Sequence, residues 1–246
     1  MAKLLAYPLT LIFFVLFGLT LLIFHPVQWF SFNVLGYRAH KTSVIWLQFW
    51  LMRCTNILGT TYSFSNSYEI EENVPLIIVA NHQSMYDIPP ILWYFRKHHP
   101  KFISKKELGK GIPSVSYNLR HGGSVLIDRR NPMQSIRAIE DFAIRVNKNC
   151  WAAVIFPEGT RSRDGHPKPF KEKGLLSLMK HIPNGLVVPL TINNSWKMVQ
   201  YGKFPLGIGS KISFKVHQPI AVNASNPSEI IKLVEEKITS SIIHDQ

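Results

Sequence analysis

Three kinds of apolar run divide the chain. The first, Leu4 to Phe24, is 21 residues without a charge, long enough to cross a bilayer as a helix. Lys3 precedes it, and His25-Pro26 reads as its stop. The run is long for a signal peptide and no small-residue cleavage site follows, so it reads as a retained membrane segment. Val27 to Leu35 is apolar again, with Trp29 and Phe30 suited to an interface. Ser43 to Gly59 reads as a second helix, too short and too charged at Arg53 to span cleanly. Two arrangements stay open: one span plus an interfacial helix, or a two-helix hairpin dipping into one leaflet. Residues 1–59 are thus expected to be an N-terminal membrane-associated segment, and 60–246 a single folded domain.

The second kind of run is short and wholly apolar, as buried strands are. Pro75 to Ala80, Trp151 to Phe156 and Leu186 to Ile192 fit best, and Lys101 to Ser104, Ser124 to Ile127 and Ile212 to Val216 join them. The third kind has helical spacing. Pro89-Pro90 suits the first turn of a helix over Ile88 to Lys97. Asn131-Pro132-Met133-Gln134 opens a helix whose apolar face is Ile136, Ile139, Phe142, Ala143 and Val146. Leu175 to His181 is shorter, and Asn226-Pro227-Ser228-Glu229 caps a last amphipathic helix. Strands alternating with helices predict one α/β domain with a mixed sheet and helices on both faces.

Charge changes the picture more than composition does. The net charge is +13, and Arg96 to Lys180 alone holds 18 Lys+Arg against 7 Asp+Glu, or +11. A basic face of that size calls for an anionic partner. The apolar N-terminus favours a membrane over nucleic acid, for which no recognition motif is present, so no nucleic-acid partner is expected. Cys54 and Cys150 read as reduced, buried thiols, which suits a cytoplasmic face. No Cys/His cluster has metal-ligand spacing, so neither a metal nor another cofactor is expected.

The chemistry-bearing stretch is Asn81-His82-Gln83-Ser84-Met85-Tyr86-Asp87, just past a buried strand, where α/β folds place ligands. Five residues of continuous helix would put His82 and Asp87 on different faces. A turn after the strand, with Asp87 at the next helix start, would bring them together as a general-base pair. About seventy residues on, another strand ends in Phe156-Pro157-Glu158-Gly159-Thr160-Arg161-Ser162. NHxxxxD followed by FPEGTRS resembles the glycerolipid acyltransferase family. Gly123 to Arg129 is similar to that family's middle motif, and Val187 to Leu190 to its fourth. The four motifs together span roughly Leu76 to Ile192.

The resemblance implies a membrane-bound O-acyltransferase. Its acyl donor would be a thioester, acyl-CoA or acyl carrier protein, and its acceptor a lysophospholipid. The leading acceptor is 1-acylglycerol 3-phosphate, which would give phosphatidate; a headgroup-bearing lysophospholipid is the nearest alternative. No GxSxG elbow is present, so a serine acyl-enzyme is not expected. Direct transfer fits better: His82 takes the proton of the acceptor hydroxyl, and Asp87 orients His82 and stabilises its charged form. Backbone amides around Glu158-Gly159-Thr160 are candidate oxyanion donors. Arg129, Arg161 and Lys105 are the candidates for the acceptor's phosphate. The resemblance also gives Glu158 a place at the acceptor site, by a glycerol hydroxyl or against Arg161. It implies a bacterial inner membrane, with the basic region facing the cytoplasm. A rival of another class is a non-catalytic membrane protein that holds anionic lipid on its basic face; it needs neither His82 nor Asp87.

Overall fold

The computed structural model describes residues 2–243. Two long helices come first, α1 (Ala2–Asn33) and α2 (Tyr37–Thr55). An α/β unit follows: β1 (Thr61–Ser65), β2 (Leu76–Ala80), α3 (Ile88–Tyr94), β3 (Pro100–Lys105), α4 (Val115–His121), β4 (Val125–Ile127), α5 (Pro132–Asn149), β5 (Ala152–Ile155), α6 (Glu172–His181), β6 (Leu186–Asn193), β7 (Lys211–Val216), β8 (Ile220–Ala221) and α7 (Pro227–Thr239).

The sheet runs β1-β7-β6-β2-β5-β3-β4, with β8 against β6. From β6 to β4 every neighbouring pair is parallel. β7 and β8 run antiparallel to β6, and the sheet is therefore mixed. Alternation along β2 shows how both faces are covered. Leu76, Ile78 and Ala80 join a core with Phe13 of α1, Cys54 of α2 and Ile91 of α3. Ile77 and Val79 point the other way, to Phe142 of α5, Leu178 of α6 and Val234 of α7. A strand buried on both faces has no polar alternation to show, which is why these runs are continuously apolar.

Local sequence sets the helix starts. The Asn131 side chain accepts from the Gln134 amide at 3.0 Å, with Pro132 in the first turn. Gln134 then uses its own Oε1 on the Asp128 amide at 3.1 Å, tying the end of β4 to this helix. Asn226 caps α7 on the Ser228 amide in the same way.

The N-terminus differs from expectation at Pro26. α1 does not stop there but runs on to Asn33, with Pro8 and Pro26 inside it. Side chains from around α4 hold the helix where the proline weakens it: Ser114 Oγ donates to the Leu21 carbonyl at 2.6 Å, and His25 Nδ1 accepts from the Ser114 amide at 3.1 Å. α4 itself is unmarked in the sequence, because Ser114, at φ 60°, starts it without a side-chain cap. α2 also begins six residues earlier than Ser43, at Tyr37. Cys54 is buried, but Cys150 is only half-buried, since it occupies the left-handed turn that ends α5.

α1 is joined to the α/β unit along its whole length. Thr10 Oγ1 accepts from the Leu206 amide at 2.9 Å, Ser114 grips the Leu21 carbonyl, and Asn33 Nδ2 donates to the Tyr117 hydroxyl at 2.8 Å. Phe13 is fully buried, edge-on to Tyr86 at 5.8 Å. Phe13→Ala is expected to cost about 3–5 kcal/mol, the range for truncating a buried aromatic. Thermal unfolding in detergent reads it; an unchanged midpoint would mean that α1 is not part of this core.

Lys101, on β3, is buried among Tyr37, Trp151 and Lys41, and no carboxylate among the described residues pairs with it. Burial, and secondarily the Lys41 charge, pushes its ammonium down to about 7. Between there and the ordinary lysine value the unfolded chain holds a proton that the folded chain lacks. Stability from this group therefore rises with pH from about 7 toward about 10.4. Lys101→Met is expected to raise the melting temperature at pH 7, and the gain should shrink as pH approaches about 10. A gain independent of pH would show that Lys101 is charged throughout.

Candidate active site

Five parallel strands leave their carboxyl ends on one edge, and each delivers polar residues there. β2 ends at Asn81-His82, β5 leads into Phe156 to Arg161, β4 into Asp128-Arg129, β3 into Lys105, and β6 into Asn194-Ser195. Asn81 locks two of them together: its Nδ2 donates to the Ile192 carbonyl at 2.8 Å, and its Oδ1 accepts the Ile192 amide at 2.7 Å.

The turn after β2 folds His82 back onto Asp87. Ser84 caps the 3₁₀ turn Met85–Asp87 in a reciprocal capping box with Asp87. This puts His82 Nδ1 2.8 Å from Asp87 Oδ2. The same oxygen accepts the amides of Gln83 at 2.8 Å and Ser84 at 3.0 Å. Asp87 Oδ1 accepts from the Ser195 hydroxyl, and Ser84 Oγ lies at 3.5 Å from it. Asp87 is fully buried, so every donor it needs comes from the protein.

A carboxylate only accepts, so His82 carries its proton on Nδ1 and keeps the Nε2 lone pair. Nε2 faces out and accepts from Arg161 Nε at 3.3 Å. The imidazole lies flat on Phe156, centroids 4.0 Å apart and planes 16° from parallel. One edge of the ring is thus tied to buried acid, and the other faces out against Arg161, whose N–H must give way before a reactant can reach Nε2.

Glu158 is nearly fully buried, and both its oxygens are held by backbone amides. Oε1 accepts the His82 amide at 2.7 Å and Oε2 the Lys168 amide at 3.0 Å. The structure thus brings Glu158 to the backbone of His82 rather than to the Arg161 guanidinium. Burial holds its carboxyl above the usual range, and the two amides pull the other way. Glu158→Gln is expected to destabilise by about 1–3 kcal/mol, because the new amide group meets a backbone N–H that needs an acceptor. Unfolding monitored with activity reads it, and an unchanged midpoint would remove Glu158 from this frame.

The turn after β5 requires its glycine. Gly159 has φ +73°, and Lys171 Nζ lies 3.3 Å from where a Cβ would sit. The Gly159 amide closes the turn on the Phe156 carbonyl at 3.0 Å, and so is not free to meet an oxyanion. The Thr160 amide has no partner among the described residues.

Cations ring this edge. Arg129 Nη1 donates to the Gly159 carbonyl and so stands beside Arg161. Burial first, then the Arg161 charge, holds the Arg129 guanidinium below its ordinary value. Two such groups side by side make a place for an anion. Lys168 Nζ donates to Thr160 Oγ1 at 2.8 Å and to the Arg161 carbonyl at 3.2 Å. Lys105 is exposed at the end of β3, in register with Ile127, and makes no hydrogen bond or ion pair among the described residues. Asp128 is taken by Lys106, whose hydrogen bond holds its carboxyl below the usual range.

Every candidate named from the sequence reaches this edge. Four residues of the arrangement were not singled out there: Ser195, Gln83, Phe156 and Lys168. Gln83 Oε1 accepts the Ser195 amide at 2.9 Å, so it sets the position of that serine. Ser195 carried one usable signal, its place just past the end of β6.

Comparison with known proteins agrees with the motifs. The model of the family described as Acyltransferase matches residues 62–193, more than half of the chain. A coconut (Cocos nucifera) 1-acyl-sn-glycerol-3-phosphate acyltransferase is 31% identical over 172 residues, 68% of this chain and 50% of the relative. A Helicobacter pylori protein of the same name is 38% identical over 100 residues, 39% of this chain and 40% of its own length. The chain spans about half the length of the curated relatives it matches. The crystal structure of the 1-acyl-sn-glycerophosphate acyltransferase PlsC from Thermotoga maritima superposes with a TM-score of 0.80 at 28% identity, covering 98% of this chain and 95% of that one. This chain belongs to the Acyltransferase family.

Proposed function

We propose that the chain transfers a fatty acyl group from an acyl thioester to the free hydroxyl of 1-acylglycerol 3-phosphate, forming phosphatidate. The carrying observation is the His82 ring, tied through Nδ1 to buried Asp87 and presenting Nε2 to Arg161, with Arg129 held on the Gly159 carbonyl nearby. The acceptor hydroxyl gives its proton to Nε2 as its oxygen attacks the thioester carbonyl. The carbon–sulfur bond then breaks, and the leaving thiolate takes the proton back from His82. Asp87 stabilises the imidazolium in between. Arg129 and Arg161 hold the acceptor's phosphate, with Lys105 reaching in from β3. The Thr160 amide is the remaining oxyanion donor in the turn after β5. The donor, acyl-CoA or acyl carrier protein, is anionic in either case and suits the basic middle third.

The N-terminal helices belong to the same reading. Lys3–Asn33 contains an 18-residue window of mean hydropathy 2.4 and is long and apolar enough to span a membrane. A helix surrounded by lipid cannot also bond to a water-soluble domain along its length, as α1 does at Thr10, Leu21 and Asn33. Its outward face is apolar from Leu4 to Phe30, Val34 and Leu35 continue it beyond the helix, and α2 adds Trp46 and Trp50. These features favour a hairpin seated in one leaflet, with residues 60–246 standing on it.

The test is acyl transfer by purified protein in detergent or liposomes, with either thioester donor. It offers 1-acylglycerol 3-phosphate or a panel of headgroup-bearing lysolipids, and includes His82→Ala. Turnover on the phosphate monoester that depends on His82 is expected. Turnover on headgroup lysolipids alone would keep the chemistry and discard the acceptor. No His82-dependent turnover from folded protein would leave the lipid-binding alternative.

A further inference from the structure

The amino edge of the sheet, opposite His82, holds a group of basic side chains, Lys101 and His40 buried and Lys41 half-buried, with no acid among the described residues inside it. The Lys101 ammonium lies 5.1 Å from the Tyr37 ring centroid and 5.0 Å from that of Trp151, and makes no hydrogen bond among the described residues. Cation–π contact replaces only part of the water an ammonium loses on burial. Lys41 Nζ bonds His99 Nε2 at 2.7 Å. His40 is 1% exposed, and its Nε2 is buried without a partner among the described residues. These residues, with Arg96 and Ser124, line a pocket of about 30 Å³. That is room for two or three water-sized groups, such as the oxygens a phosphate would push in past half-buried Lys41.

The surroundings bring no compensating charge. Burial first, then nearby basic groups, lowers both imidazoles to about 4, with Lys101 and then His121 acting on His40, and Lys41, Lys101 and then His98 on His99; both are neutral near pH 7. Among the described residues, Glu72 is the one acid whose field reaches Lys41 and His98, and it is exposed and paired with Lys97. Ser124 Oγ accepts the Phe102 amide at 3.1 Å, which leaves its hydroxyl hydrogen to donate.

We propose that this pocket is a second anion site, binding a phosphate group through Lys101, Lys41, His40 and Ser124. It is separate from the reaction edge. Lys101 and Lys105 are four residues apart on one strand, about 13 Å. The phosphate can come from a membrane phospholipid or from solution. The lipid source has a route, since α2 supplies His40 and Lys41 to the pocket and exposes Trp46 and Trp50. The proposal does not rest on the acyl-transfer reading. A bound anion would return the missing proton to Lys101, so binding takes up protons near neutral pH.

The test uses the full chain in detergent with Arg129→Ala and Arg161→Ala, which removes the anion-holding arginines of the other edge. Calorimetric titration with inorganic phosphate, at fixed ionic strength and in two buffers of different ionisation heat, should show one saturable site with proton uptake. Adding Lys101→Met, which relieves a buried charge and should fold, is expected to weaken it about tenfold or more. Lys41→Met is the second variant, with the same expected direction. Repeating the titration beside vesicles of phosphatidylcholine alone or mixed with phosphatidylglycerol separates the sources. Displacement by the mixed vesicles supports a lipid phosphate in the pocket, and undisturbed binding supports free phosphate there. No saturable site in the arginine-deficient chain, or one indifferent to both lysine variants, would overturn the proposal.

Discussion

His82→Ala is expected to lower kcat/KM for acyl transfer about 10²–10⁴-fold, the range for losing a positioned general base. The loss should exceed anything unfolding explains. The backbone contacts at this position do not involve the ring: the amide goes to Glu158, and the carbonyl accepts the Ser162 amide at 2.8 Å. What the fold loses is the stack on Phe156, worth about 1 kcal/mol, and the Nδ1–H donor to buried Asp87, worth about 1–3 kcal/mol. Kinetics and thermal unfolding of the same preparation separate the two effects. A defect below tenfold would mean that another group takes the proton.

Asp87→Asn should cost about two to three orders of magnitude in kcat, and the geometry says by which route. Oδ2 meets three donors, the Gln83 and Ser84 amides and His82 Nδ1. Oδ1 faces hydroxyls of Ser195 and Ser84, which can accept as well as donate. An asparagine can therefore turn its oxygen to the three donors and its amide nitrogen to the serines. The His82 tautomer and ring position survive, and the negative charge beside the forming imidazolium is what goes. Asp87→Ala differs, leaving two buried amides unpaired at about 1–3 kcal/mol each. The check is whether Asp87→Asn keeps the wild-type melting temperature while kcat falls. Near-normal turnover would show that orientation, not charge, is the contribution of this residue.

The central strands were legible because they are buried on both faces: Leu76 to Ala80 has no polar residue to confuse with another element. The paired motif was legible because His82 and Asp87 lie in one turn. Ser195 was not, since 108 residues separate it from Asp87 and only β6 lying beside β2 joins them. Glu158 was found but placed differently, because the amides it binds belong to the backbone and leave no mark in the residue types. Pro26 misled about the end of α1, where the clamp from Ser114 is a long-range contact. α4 begins at a positive φ without a cap, and no local rule marks such a start.

Phe13 and Phe17 of α1 both lie edge-on to Tyr86, the residue beside Asp87. The apolar helix is thus part of the wall behind the histidine, not a tether that could be cut away. Trimming residues 2–33 to obtain an easily handled enzyme would uncover Tyr86 and open the core at the point that holds the capping box. The same contact makes detergent choice a kinetic variable, because whatever presses on α1 presses, two side chains later, on the carboxylate that steers His82.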